Sequence, residues 1–144
     1  MPVYQCVSTA GLVSADARAR IAEGITRLHC EVTGAPAAFV NVLFSEYVSG
    51  ELFTGGQPSQ NSFIAAEIRA GRDLDIRQAL LRQLSAIWTE ATGQNEAQLL
   101  VAIKETPAEN AMEAGLMFPR PGEEAQWMSE NSDKLAALGW TVST

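Results

Sequence analysis

Pro2 stands directly after Met1 and before Val3. An initiator Met followed by a small residue is normally trimmed, and trimming here leaves Pro2 as a free N-terminal secondary amine. No other residue type offers that group. An α-amino group titrates near about 7.7–8.0, so modest burial or a nearby cation brings it to operating pH. Such an amine can serve as general base, general acid or nucleophile. The segment Val3-Tyr4-Gln5-Cys6-Val7 reads as a strand, which pins the amine inside the fold where a terminus would otherwise fray.

Arg69 and Arg72 bracket Gly71 just ahead of a helical pattern. Cations at a helix start oppose its dipole, so local helix stability does not account for them. Guanidinium forks beside free helix amides suit a carboxylate or phosphate. Solvated loop arginines, or partners for Asp73 and Asp75, are the other reading. His29 is the single histidine and lies at the edge of an apolar helical stripe, either packed or aimed at a ligand. Glu113 follows Met112 and precedes Met117. It reads as an ordinary helical carboxylate or, facing an apolar pocket, as a base of raised pKa able to activate water.

These residues must be positioned by 144 residues, enough for one domain with a proper core. The net charge of −7 argues against nucleic acid. No stretch reads as a signal peptide or a membrane span. Cys6 and Cys30 fit no metal spacing, so free thiols in the cytoplasm are the simplest expectation, and one His with two Cys argues against a multi-ligand transition-metal site.

Residues 3–9 form the first candidate strand. Ser14 and Asp16 open a helix carrying Ile21, Ile25, Leu28 and Val32 on one stripe, closed by Thr33-Gly34. Residues 38–44 read as a buried strand. This strand–helix–strand unit then recurs. Gly93 lies 59 positions after Gly34, and that offset aligns Ser14 with Asp73, Glu31 with Glu90, and Ile21, Ile25 and Leu28 with Leu80, Leu84 and Ile87. His29 aligns with Trp88, a residue expected in the core.

The fold class is therefore α/β: a tandem strand–helix–strand repeat, units 2–45 and 61–105, forming a four-stranded sheet with two helices on one face. A pseudo-twofold axis sets the first strands of the two units side by side and antiparallel, placing Pro2 near Ile68 and Arg69. The bare, rather apolar opposite face calls for packing against other subunits. Residues 45–61 are a connector turning at Gly55-Gly56. Residues 106–144 are a helical C-terminal extension within the same single domain (1–144), with helices expected over 107–114 and 122–138 and with Trp127 and Leu135 as anchors.

The whole pattern resembles the tautomerase superfamily, and within it the cis-3-chloroacrylic acid dehalogenase group. The resemblance rests on Pro2-Val3-Tyr4, Thr33-Gly34, Gly55-Gly56, Arg69-x-Gly71-Arg72, Pro107-Ala108, and Pro119-x-Pro121-Gly122 with Trp127. It implies Pro2 as the catalytic proline, His29, Arg69 and Arg72 at the substrate carboxylate, and Glu113 acting on water. It also implies a homotrimer and a small 2-oxo or unsaturated carboxylic acid as substrate, without metal or cofactor. Enol–keto tautomerisation is the expected reaction, with weak hydratase or dehalogenase activity. A cis-3-haloacrylate dehalogenase or hydratase is one alternative, and a small-acid binding module whose catalysis has decayed is another. The chain departs from the group at Ala102, which stands where the dehalogenase has a tyrosine that helps the glutamate orient water.

Overall fold

The computed structural model describes residues 1–140. Strand β1 (Val3–Thr9) buries Tyr4, Cys6 and Ser8 and turns the intervening residues to the other face, the period-two pattern of a strand with one covered side. Helix α1 (Ala15–Thr33) starts where the Ser14 hydroxyl accepts from the Ala17 amide at 3.1 Å. It stops at Gly34, whose left-handed φ of 74° sends its N–H to the Cys30 carbonyl at 2.9 Å. Ala17, Ile21, Ile25 and Leu28 form its buried stripe.

The second half repeats these elements. Strand β5 (Ser62–Arg69), helix α2 (Leu74–Thr92) and strand β6 (Leu99–Thr106) lie 59 positions after β1, α1 and the segment holding β2 (Asn41–Tyr47). Gly93 ends α2 with the same φ of 74°. Asp73 occupies the cap position in extended conformation but makes no side-chain cap bond. The sheet runs β2-β1-β5-β6. Each unit contributes a parallel pair, and β1 and β5 meet antiparallel with Val3 opposite Glu67. Both helices cover one face, and the core joins Tyr4, Cys6, Ile64, Ala66 and Ile68 of the strands to Ile21, Ile25, Leu80, Leu84 and Trp88 of the helices.

Three expectations need correction. The strand placed over 38–44 starts later, because a 3-10 turn at Ala37–Phe39 follows Pro36 and β2 begins at Asn41. β2 is an edge strand with one face bare, so none of its residues is fully buried. The segment 107–114 is not a helix. A 3-10 turn (Ala108–Asn110) leads into a hairpin of β7 (Met112–Glu113) and β8 (Leu116–Met117), turning at Ala114 and Gly115 with φ of 54° and 75°. The helix expected over 122–138 is two, α3 (Glu124–Glu130) and α4 (Ser132–Ala137). Asn131 divides them, its side-chain amide donating to the Trp127 carbonyl at 2.8 Å.

The connector carries a second hairpin, β3 (Phe53–Thr54) with β4 (Gln57–Pro58), turning at Gly55-Gly56 as expected. The uncovered sheet face presents Leu43 and Leu100, both more than half exposed. Among the described residues no helix is long and apolar enough to cross a membrane.

Candidate active site

The antiparallel register that sets Val3 against Glu67 carries Pro2 to the end of β5, beside Ile68. Pro2 is fully buried. Its carbonyl accepts from the Asn41 backbone amide at 3.0 Å, with the Asn41 side-chain amide at 3.4 Å. Met1 precedes it, and the Met1 ammonium is ion-paired with Glu113. The β7–β8 hairpin, rather than a helix, is what brings Glu113 to the chain start. Burial pulls the Met1 amine below its ordinary value and the Arg69 cation adds to this, while Glu113 opposes both.

Arg69 closes β5 and is nearly buried. Its Nη1 donates to the Pro119 carbonyl at 2.7 Å and its Nη2 to Glu124 Oε1 at 2.6 Å. Arg72 stands apart. Its guanidinium comes no closer than 4.0 Å to Glu124, and burial, then Arg69, lower its pKa while Glu124 opposes. Gly71 between them has a φ of 109°, and a Cβ there would run into the Pro121 ring. The arginine turn is thus seated directly on the C-terminal extension.

His29 is buried on α1, and its Nδ1 lies 2.7 Å from the Tyr4 hydroxyl. Burial first, then Arg72, the chain's amine and Arg69, push the imidazole down to about 4. Burial likewise raises the Tyr4 phenol, with Cys30 adding to it. Both groups are neutral near pH 7. With Tyr4 donating to Nδ1, the ring keeps its proton on Nε2. Trp88, the counterpart of His29, is buried as expected, its indole N–H on Gln94 Oε1 at 2.9 Å.

This environment has a consequence for stability. An unfolded His29 takes a proton below about 6.5, whereas the folded one stays neutral down to about 4. The unfolded state therefore binds more protons over that window, and stability falls as pH falls through it. Between pH 7 and pH 5 the loss attributable to His29 is about 2 kcal/mol. Urea unfolding at the two pH values should show that difference in wild type and a much smaller one in His29→Gln.

One cleft gathers Met1, His29, Arg69 and Arg72 at one end. Its other walls are aromatic. Phe39 packs edge-on against Phe118 at 6.3 Å between centroids and lies 6.1 Å from Trp127, whose indole N–H donates to the Met117 carbonyl at 2.7 Å. The arrangement offers a cationic end, a neutral imidazole donor and an apolar body. Glu113 meets the cleft through Met1 and faces a neighbouring recess with Asn41 and Glu67. Ala102 is paired with Ala65 on the uncovered face of β6, so it does not join this cluster within the chain. Tyr4 and Glu124 were missed by the sequence reading. The inward alternation of β1 beside a lone histidine was the available signal for Tyr4. Nothing local links Glu124 to an arginine 55 positions earlier.

Comparison with known proteins agrees with this architecture. A family model described as "Putative oxalocrotonate tautomerase enzyme" matches residues 1–132. The solved structure of N1, described as a member of the cis-3-chloroacrylic acid dehalogenase family, is similar at 30% identity with a TM-score of 0.85, covering 94% of this chain and 99% of that one. Native Ps01740 is similar at 40% identity and a TM-score of 0.76, over 77% of this chain and 99% of its own. A wild-type fused 4-OT, described as an asymmetric trimer, is similar at 25% identity and a TM-score of 0.74, over 80% and 94%. A comparison with curated proteins finds no match. The duplicated fold and the family match over 132 of 144 residues lead to one conclusion: this chain belongs to the oxalocrotonate tautomerase-like family of the tautomerase superfamily.

Proposed function

We propose that the chain is a tautomerase of small 2-oxo or unsaturated carboxylic acids, with Pro2 as its proton carrier after removal of Met1. The observation that supports this reading is the convergence of the chain start, His29, Arg69 and Arg72 on one cleft. Trimming breaks the Met1–Pro2 amide and gives a basic secondary amine held by the Asn41 contacts to its carbonyl. Arg72 and the His29 Nε2 proton receive the substrate carboxylate. The neutral amine takes a proton from carbon 3 of the 2-oxo acid. The electron pair of that C–H bond becomes the carbon–carbon double bond, the carbonyl π pair moves onto its oxygen, and the Pro2 ammonium so formed gives its proton to that oxygen to complete the enol. The reverse sequence returns the proton to carbon.

The Glu113 carboxylate beside the chain start favours a second, weaker activity. With Pro2 protonated, the amine gives its proton to carbon while Glu113 takes one from water adding to an unsaturated acid. The dehalogenase and hydratase alternatives belong here. Ala102 lies on the uncovered sheet face, so it would reach a site only across the proposed trimer interface, and it brings no hydroxyl there; water is then held less firmly and hydration is the slower reaction. A homotrimer formed on the uncovered sheet face fits its exposed Leu43 and Leu100 and the trimeric fused 4-OT. The free thiols of Cys6 and Cys30 are in keeping with the cytoplasm.

The test follows ketonisation of phenylpyruvate enol and halide release from cis-3-chloroacrylate, on protein whose N-terminus is verified by mass. Tautomerisation should be the faster by at least about tenfold. Dominant halide release would reverse the assignment, and binding of these acids without turnover of either would identify a decayed binding module.

A further inference from the structure

We propose that Glu124 leaves the cleft one free cation, and so selects acids with a single carboxylate and an apolar body over dicarboxylic acids. The proposal rests on reading the cleft as a carboxylate site.

The two arginines are not equivalent. Arg69 has both terminal nitrogens engaged, on the Pro119 carbonyl and on Glu124. Glu124 is itself tied twice, its Oε1 accepting from Arg69 at 2.6 Å and its Oε2 from the Gly122 amide at 2.7 Å. Burial alone would raise this carboxyl. The hydrogen bonds from its own backbone, Arg69 and Gly122, with the Arg69 charge, outweigh that and lower it. It is an anion in the wall of the cleft, held by Arg69 and by the Gly122 amide. Arg69 and Glu124 form a neutral pair.

Among the described residues Arg72 is then the one side-chain cation lining the cleft with no ion-pair contact closer than 4.0 Å, and His29 is uncharged. One carboxylate is matched by Arg72 and the imidazole N–H. The body of the ligand meets Phe39, Phe118 and Trp127. A second carboxylate on that body has two places to go. Against the aromatic wall it loses hydration with no partner. Toward Arg69 it meets the Glu124 carboxylate as a like charge.

The experiment measures binding of phenylacetate and of phenylsuccinate by quenching of tryptophan fluorescence. Turnover of phenylpyruvate enol and oxaloacetate enol is followed in parallel, in wild type, Glu124→Gln and Glu124→Asp. Wild type should bind phenylacetate more tightly than phenylsuccinate. Glu124→Gln should shift the binding ratio toward the dicarboxylate by about tenfold, a modest value because Glu124 is partly in solvent. Glu124→Asp, which keeps the charge, should hold the wild-type ratio. Wild type binding phenylsuccinate as tightly as phenylacetate overturns the proposal without any variant, so poor folding of Glu124→Gln does not shield it. Equal gains for both acids in Glu124→Gln overturn it too, since they mean a carboxylate that substrate merely displaces. Equal shifts in Glu124→Gln and Glu124→Asp replace charge by packing and overturn it as well. Absence of enol turnover with the binding ratios as expected leaves this inference standing and removes the tautomerase reading instead.

Discussion

A chain that keeps Met1 should show about 10²–10⁴-fold less tautomerase activity than the same chain beginning at Pro2. In the longer form the Pro2 nitrogen is an amide with no basic lone pair, and Met1 occupies the cationic end of the cleft. The Met1 ammonium also neutralises Glu113. Trimming removes all three obstacles in one cleavage. Pro2→Ala in the trimmed form is a milder test, because alanine still ends in an amine. The ring fixes the backbone angle and is fully buried, so its loss displaces the nitrogen, and a displacement of about 1 Å can cost roughly 10²-fold. Stability should fall by only about 1–2 kcal/mol, since the Asn41 bonds go to the Pro2 carbonyl and survive. Side-by-side assay of the two N-terminal forms, separated by mass, decides the matter. Equal activity in both would remove Pro2 from the mechanism.

Arg72→Ala should weaken binding of carboxylates by about 1.5–3 kcal/mol, the scale of a charge-assisted hydrogen bond, while leaving the melting temperature unchanged or slightly raised. Among the described residues Arg72 comes no closer than 4.0 Å to a carboxylate, and it is lowered in pKa by burial and by Arg69, so its removal relieves a repulsion. Arg69→Ala should behave in the opposite way. It strips the Pro119 carbonyl of its Arg69 donor and leaves Glu124 only the Gly122 amide, and the C-terminal extension loosens from the sheet. Its main signature is therefore a lower melting temperature. Titration with an acid and its neutral amide separates the two effects. If the amide binds Arg72 variants and wild type with the same preference as the acid, Arg72 does not read the carboxylate.

The two arginines look alike in the sequence, and their different duties became visible only through contacts made from the far end of the chain. Local signals were otherwise reliable. Ser14, Gly34 and Gly93 bounded the long helices because a cap is chemistry between near neighbours. The repeat was legible because matching stripes at a fixed offset must pack alike. From it followed the antiparallel meeting of β1 and β5, and with it the position of Pro2 beside Ile68. The extension resisted for a physical reason. Strands of two residues, such as β7 and β8, have no period to detect, and Ala-rich sequence around Glu113 favours helix when read alone. The hairpin wins through tertiary contact, and that contact carries Glu113 to the chain start.

The pseudo-twofold axis gives the molecule two matching ends, and they carry different residues. The partner of Pro2 under the offset of 59 is Asn61, locked in peptide bonds on both sides. The partners of Arg69 and Arg72 are Ala10 and Val13, and the partner of His29 is the fully buried Trp88. Duplication has thus kept the frame of each unit while the residues at the two ends diverged. On the proposed mechanism, changes at the other end, around Ala10, Val13 and Asn61, should be felt in melting and not in turnover.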